Sequence, residues 1–442
     1  MTRSDEPGSP PGRPAVAEAP ARRIPITPSH PPARPMDAVG WLSLAALSGW
    51  LIWAAFRMIP PQLWQQGFHA HRLAASYSTW SMPSMAYSDV IWLYRTHVLY
   101  LHLLPYLVNR IEYPVIMGWF MYVMSWLPGP LAYWIGTVAV LAACAVATFF
   151  MLRRIAPRTY WAWALSPLWL PYAFLNWDLL GIVTLVAAWW CFRRERWIGS
   201  GVWLGIGVAV KFFPIAMWPF MAAALWARGS RQDAWRFTWA TVIPVVGLNL
   251  PMAIANFQNW SWFFTFNAGR PVGGDLWVFV LPTLSKLAST LVVDGLSFLL
   301  LGLVALLALW ATLKGADPAK TAALAFVVWM VVNKVFSPQY MIWVLTMASV
   351  AEWPIWSLVA LTLGGLSDWW NSFGVLGYGD RHVYPLFLPY SPSLYFRVLS
   401  FRYVTLLAAT AAGALAVWRR PPGDPSAQGA SAGARQPRAA GP

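Results

Sequence analysis

Two carboxylates and two lysines stand out in a chain that is otherwise apolar around them. They are Asp89 in Tyr87-Ser88-Asp89, Asp178 in Asn176-Trp177-Asp178, Lys211 ahead of Phe212-Phe213-Pro214, and Lys334 in Asn333-Lys334-Val335-Phe336-Ser337-Pro338-Gln339-Tyr340. An ionisable group near bilayer depth costs roughly 2.5 kcal/mol or more, so such groups mark functional sites by default. Lysine or arginine at a membrane surface holds a phosphate as a point charge or a fork. A carboxylate beside it takes the proton from a hydroxyl as that hydroxyl attacks. Asp89 is the leading base because it lies among Tyr87, Ser88, Tyr94, Arg95 and His97. Glu112, in Ile111-Glu112-Tyr113-Pro114, is a second carboxylate that orients an acceptor or caps the helix that follows.

Each of these residues also has a plainer role. Ser88-Asp89 is ordinary helix-capping chemistry, and Asp178 is placed to cap a helix starting at Leu179. Lys211 and Lys334 at helix ends can snorkel to the interface. An Asp178–Lys211 pair would serve structure alone, since buried opposite charges seek each other. Arg270, in Asn267-Ala268-Gly269-Arg270-Pro271, reads equally as a solvated loop charge. His97 and His102 lie five apart and His69 and His71 two apart; neither is a metal-binding set, so no metal and no cofactor is expected. Cys144 and Cys191 both fall in apolar segments and read as buried thiols.

The elements that must position these groups are membrane helices. Of 442 residues 58% are hydrophobic and only 11% charged, and 32 are Trp, which matches a polytopic membrane protein with aromatic belts at both interfaces. The net charge of +15 does not indicate nucleic acid, because the basic residues sit in short runs between apolar stretches. Residues 1–36 and 421–442 are Pro-, Ala- and Arg-rich and read as disordered tails around a domain at 37–420. The first apolar run, 40–58, is a spanning helix rather than a signal-peptide core. Further stretches at 131–152, 159–175, 179–192, 198–212, 214–227, 237–256, 291–312, 321–335, 339–351, 353–368 and 398–418 bring the total to about twelve. Several fall short of the ~20 residues that a perpendicular span needs, and broken helices are tolerated only inside protein or along a cavity. Stretches 113–127 and 276–290 are expected to lie at the interface.

Orientation follows from the basic residues. With the N-terminus inside, the inner loops receive Arg153, Arg154 and Arg158, then Arg193, Arg194 and Arg196, then Arg228, Arg231 and Arg236, then Lys314 and Lys320, and finally Arg419 and Arg420. The alternation sends the segments at 60–130, 257–290 and 369–396 outward, together with Asp89, Asp178, Lys211 and Lys334. The last of these segments carries Gly379-Asp380-Arg381-His382, an acceptor contact or a solvated loop. A site on that face has no cytoplasmic nucleotide to draw on, so an enzyme there needs an activated substrate already in the membrane, such as a lipid-linked phosphate.

The long first loop with its aspartate, the Asn-Trp-Asp motif, the basic Arg193-Arg194-Glu195-Arg196 run, the Gly-rich stretch 201–211 ending in Lys-Phe-Phe-Pro, and Asn-Lys-Val-Phe-Ser-Pro-Gln-Tyr together resemble glycosyltransferase family 87. The resemblance covers about residues 40–418 and is most specific over 176–214 and 333–340. It implies an all-α GT-C-type bundle of about 12 transmembrane helices with a long first outer loop. It also implies a polyprenyl-phosphate-sugar transferase of actinobacterial type, like the α-1,2-mannosyltransferases and related arabinofuranosyltransferases. Asp89 would then be the base of an inverting transfer, and Lys211, Arg270 and Lys334 would stabilise the departing phosphate, so that no metal is strictly needed. Glu112, Tyr113, Arg95, Asp178 and Gln339 would complete the substrate contacts, with a glycan or glycolipid as acceptor. Many members carry Tyr-Pro-Pro where this chain has Tyr113-Pro114-Val115, a departure that bears on the acceptor. A transporter or flippase of lipid-linked sugars would use similar broken helices, but it usually brings an internal repeat, which the two halves lack. A non-catalytic cell-envelope scaffold is the third reading, and in it Asp89 would be replaceable.

Overall fold

The computed structural model describes residues 35–61, 77–271, 276–280, 290–381 and 391–418. The expected tails apart from residues 35–36, and His69, His71 and His382, lie outside these residues. Helices α1 (Ala38–Arg57), α2 (Asp89–Thr96), α3 (Val115–Ser125) and α4 (Gly129–Ile155) come first. They are followed by α5 (Tyr160–Leu165), α6 (Trp169–Tyr172), α7 (Asp178–Arg193), α8 (Trp197–Val210), α9 (Trp218–Ala227), α10 (Arg231–Ala255) and α11 (Phe257–Gly269). The last five are α12 (Thr290–Leu313), α13 (Pro318–Val332), α14 (Tyr340–Val350), α15 (Ile355–Arg381) and α16 (Pro392–Trp418). The protein is an all-α, polytopic membrane protein.

Helix length sorts with position. Five helices among the described residues are long and apolar enough to cross a bilayer: α1, α4, α10, α12 and α16. They keep much of their surface outward; only 17% of the apolar window of α10 is buried, and α12 matches it. The shorter helices are the inner ones. In α14 every residue after Tyr340 is buried, and α7 buries most of its length, Asp178 included. A short helix leaves backbone polar groups at bilayer depth, and packing inside protein is what makes that tolerable.

Two stretches depart from the sequence expectation. The apolar run 159–175 is broken into α5 and α6, because Ser166 precedes Pro167 and adopts an extended conformation, with ψ of 123°. The run expected to end at 368, with a loop from 369, instead continues as α15 to Arg381. Asp368, which reads as a polar end, lies buried inside the helix pair α15–α16 and is held 2.6 Å from Arg402.

The tightest helix packing is also readable in the residues. Gly201 and Gly205 of α8 face α10, where a Cβ would collide with the carbonyl oxygens of Phe237 and Thr241. The four-residue spacing of small residues lets the two backbones touch, as in membrane helix pairs generally. The described helices thus run between two ends of one bundle. At one end, Arg193 meets Asp317 at 3.1 Å and Arg228 meets Glu195 at 3.7 Å, beside Arg153, Arg154 and Arg158. At the other lie the start of α7, the end of α8 and the start of α14, which carry the candidate site.

Candidate active site

Local backbone pairing brings Asp89 to its place. Ser88 caps α2 by accepting from the Val90 N–H, and its hydroxyl donates to the Phe174 carbonyl at 2.6 Å. The Asp89 N–H donates to the Leu175 carbonyl at 2.7 Å, and the Tyr77 hydroxyl accepts from the Ser88 N–H at 2.9 Å. The start of α2 is therefore stitched to the residues just ahead of Asn176. Asn176 Nδ2 then donates to Asp89 Oδ2 at 2.8 Å and to the Tyr113 hydroxyl at 2.8 Å. Ser88 supplies the cap, which leaves the half-buried Asp89 carboxylate to bond Asn176 instead of the helix end.

Lys211 follows α8, which ends ahead of Pro214, and its side chain is buried. Its ammonium lies 2.9 Å from the Asp178 carboxylate and donates to Asn176 Oδ1 at 2.8 Å. The Tyr113 ring sits 4.6 Å from the same ammonium, in cation–π range. Asp178, Lys211, Asn176, Asp89 and Tyr113 therefore form one connected cluster drawn from α7, α8, α2 and the segment before α3. Tyr87 also hydrogen-bonds Asp89. Burial pushes the Asp89 carboxyl above the ordinary aspartate range, while the bonds from Asn176 and Tyr87 and the Lys211 charge pull the other way. A carboxylate with a raised pKa is a stronger base when ionised, which suits proton abstraction from a hydroxyl.

The remaining sequence candidates fall around this cluster. Arg270, just past α11, hydrogen-bonds the Tyr340 side chain, and Tyr340 lies within electrostatic range of both Asp89 and Asp178. Tyr340 stacks on Trp343 at 4.2 Å, and Trp343 stacks on Phe213 at 4.2 Å, a ladder that fixes the start of α14. Lys334 binds outside the cluster: its ammonium is 2.8 Å from Asp294 of α12 and 2.8 Å from the Ala268 carbonyl. It ties α12 to the end of α11, two residues from Arg270. Glu112 lies 2.7 Å from His97 Nε2, next in sequence to Tyr113. Gln339 is buried and accepts from the Ser337 hydroxyl. Arg95 occupies the last turn of α2, where a positive charge suits the helix dipole.

A cavity of about 290 Å³ opens beside the cluster, between α3, α8, α10 and α11. Its wall is apolar, from Val115, Val208, Val245, Leu250 and Phe264, and Tyr113 lines it as well. Tyr113 thus has its ring in the apolar groove and its hydroxyl on the polar cluster. Sequence reading missed the central part of Asn176, whose motif was visible but whose partners lie 87 and 35 positions away. It also missed Asp294, Asp368 and Arg402, whose signal was the presence of charges within apolar helices.

The arrangement can abstract a proton, hold an anion and seat an apolar chain. No curated protein matches the sequence. The family model for glycosyltransferase family 87 matches residues 112–338, just over half of the chain. That span takes in Tyr113, Asn176, Asp178, Lys211, Arg270 and Lys334, while Asp89 and Gln339 flank it. This chain belongs to glycosyltransferase family 87 and is a membrane glycosyltransferase.

Proposed function

We propose that the protein transfers a sugar, mannose or arabinofuranose, from a polyprenyl-phosphate donor to a glycan or glycolipid acceptor of the cell envelope, with inversion at the anomeric carbon. The observation that carries this reading is the half-buried Asp89 carboxylate, bridged by Asn176 to Tyr113 at the edge of an apolar groove. A lipid-linked phosphate has the chemistry that fits: an isoprenoid chain for the groove and an anionic head for the polar end.

In the proposed mechanism Asp89 takes the proton from an acceptor hydroxyl as its oxygen attacks the anomeric carbon. The bond to the phosphate oxygen breaks, and the lipid phosphate leaves with both electrons. Arg270, presented by Tyr340, is the cation placed to stabilise that charge. Lys211 is already engaged by Asp178 and Asn176, so it sets the local field rather than serving as an open clamp. Lys334 acts through Ala268 and Asp294, holding α11 so that Arg270 stays in place.

The basic end of the bundle supports an orientation with that end in the cytoplasm and the site facing outward from the plasma membrane. The deciding experiment follows transfer from a panel of radiolabelled polyprenyl-phosphate sugars in membranes with matched amounts of wild-type protein or Asp89→Asn. Transfer from one donor that vanishes in the variant supports the reading. Transfer that survives moves the base to another carboxylate. No transfer from any donor by well-inserted protein, with acceptor-containing membranes supplied, favours a transporter or scaffold.

A further inference from the structure

The Asn176 amide makes four hydrogen bonds, its full complement. Oδ1 accepts from Lys211 Nζ at 2.8 Å and from the Trp177 N–H at 2.7 Å. Nδ2 donates to Asp89 Oδ2 and to the Tyr113 hydroxyl oxygen, each at 2.8 Å. The two ends of the amide cannot be exchanged. An ammonium and a peptide N–H only donate, and an ionised carboxylate only accepts, so oxygen and nitrogen fit one way round.

This fixes the role of Tyr113. Because Nδ2 donates to it, the Tyr113 oxygen is an acceptor in this bond and its proton remains for another partner. No acceptor for that proton occurs among the described residues. The phenol keeps the proton, because burial and the nearby Asp89 and Glu112 charges hold it well above the ordinary tyrosine range. The ring lines the apolar groove, so the hydroxyl stands where groove and polar cluster meet.

We infer that Asn176 is a positioning residue with two tasks: one N–H holds the Asp89 carboxylate, and the other turns the Tyr113 hydroxyl into a hydrogen-bond donor for an oxygen of the bound ligand. The inference rests on the transferase reading, in which that oxygen belongs to the donor phosphate. Such a bond strengthens as charge develops on the leaving group, so its loss falls on kcat more than on KM.

The test is a double-mutant cycle of Asn176→Asp and Tyr113→Phe in transfer assays, with pH profiles. In Asn176→Asp the new carboxylate accepts the Tyr113 proton and withdraws it from the ligand. Tyr113→Phe is expected to lower kcat about tenfold in the wild-type background and less than about twofold in the Asn176→Asp background. The acid limb is expected to rise by about one pH unit in Asn176→Asp, because a donor to Asp89 has become a like charge. Equal Tyr113→Phe losses in both backgrounds, or an unmoved acid limb, would overturn the inference. A merely structural Asn176 would give additive losses.

A second readout needs no substrate. The Asp89 carboxyl stretch, isolated by infrared difference against Asp89→Asn in lipid nanodiscs, is titrated with and without Asn176→Asp. An upward displacement in a protein that transfers no sugar supports the hold on Asp89 while the transferase reading fails. No displacement in an active enzyme defeats the inference alone. Should Asn176→Asp fold poorly, Tyr113→Phe decides by itself, and an unchanged kcat removes the ligand-facing proton.

Discussion

At the scale of single residues, Asp89 is the most consequential side chain. Replacing it by Asn keeps its size and its place beside Asn176 but removes the proposed base, so transfer is expected to fall by about 10²–10⁴, the range for a positioned acid–base group. Lipid-donor turnover in detergent or nanodiscs checks this, and near-wild-type turnover would sink the assignment. The pH dependence has a definite sign. In the proposed role Asp89 works ionised, and its pKa is raised, so activity is expected to be lost as pH falls through that raised value rather than near the ~3.9 of a free aspartate. A kcat/KM profile flat down to about pH 4 would contradict it. Much at this scale was legible. Two aspartates and two lysines in apolar surroundings announce themselves by their desolvation cost. Asn176 did not, because an amide carries no charge to mark it, and its task exists only once the 88–89 backbone has paired with 174–175.

At the scale of elements, contacts between helices decide what can be changed. The α8–α10 crossing depends on Gly205, where a side chain would run into the Thr241 carbonyl. Gly205→Val is expected to cost about 1–3 kcal/mol through overpacking, seen as a lower midpoint of thermal unfolding in detergent. An unchanged midpoint would mean that the crossing has slack. The Asp368–Arg402 pair is almost fully enclosed, and Arg402 also lies 4.4 Å from the Phe336 ring in the segment that leads to Tyr340. Removing one partner, as in Asp368→Asn, is expected to cost about 3–5 kcal/mol. The double variant Asp368→Leu with Arg402→Met should recover most of that stability, and a double variant no better than the single one would refute the pairing argument. The break at Pro167 follows a rule of local sterics and was within reach of the sequence. The extension of α15 through Asp368 was not, because its neutralising partner is 34 residues ahead on another helix.

At the scale of the whole molecule, the segregation of charge is the main feature. Helices alternate between a basic end and the end that holds the site, so the proposed topology makes a direct prediction. In a background lacking Cys144 and Cys191, Ser84→Cys is expected to react with a membrane-impermeant maleimide on intact cells. Gln232→Cys, at the start of α10, should react only after permeabilisation. The reverse pattern would place the site in the cytoplasm and remove the case for a donor confined to the outer leaflet. The all-helical class and this alternation were plain in composition and in the placement of arginine. The layering of short helices inside long ones was not, since hydropathy reports how apolar a stretch is and not what surrounds it.

The Asp178–Lys211 contact has a meaning beyond the site. Helix α7 leaves from Asp178, turns at the Arg193–Arg196 run, and α8 returns to Lys211, so the salt bridge closes the open end of a helical hairpin. Neither helix reaches the length of an independent span, and each ends beside a charge that lipid would reject. Joined by the salt bridge, the two helices bring the open end of the hairpin to zero net charge and leave the positive charge at its turn. Insertion of this hairpin is therefore expected to draw on the same two side chains that set the field of the proposed site. Lys211→Met is therefore expected to lower the amount of membrane-inserted protein, and exchanging the two charges together to restore it; an unchanged level of inserted Lys211→Met on a quantitative blot would count against the hairpin argument.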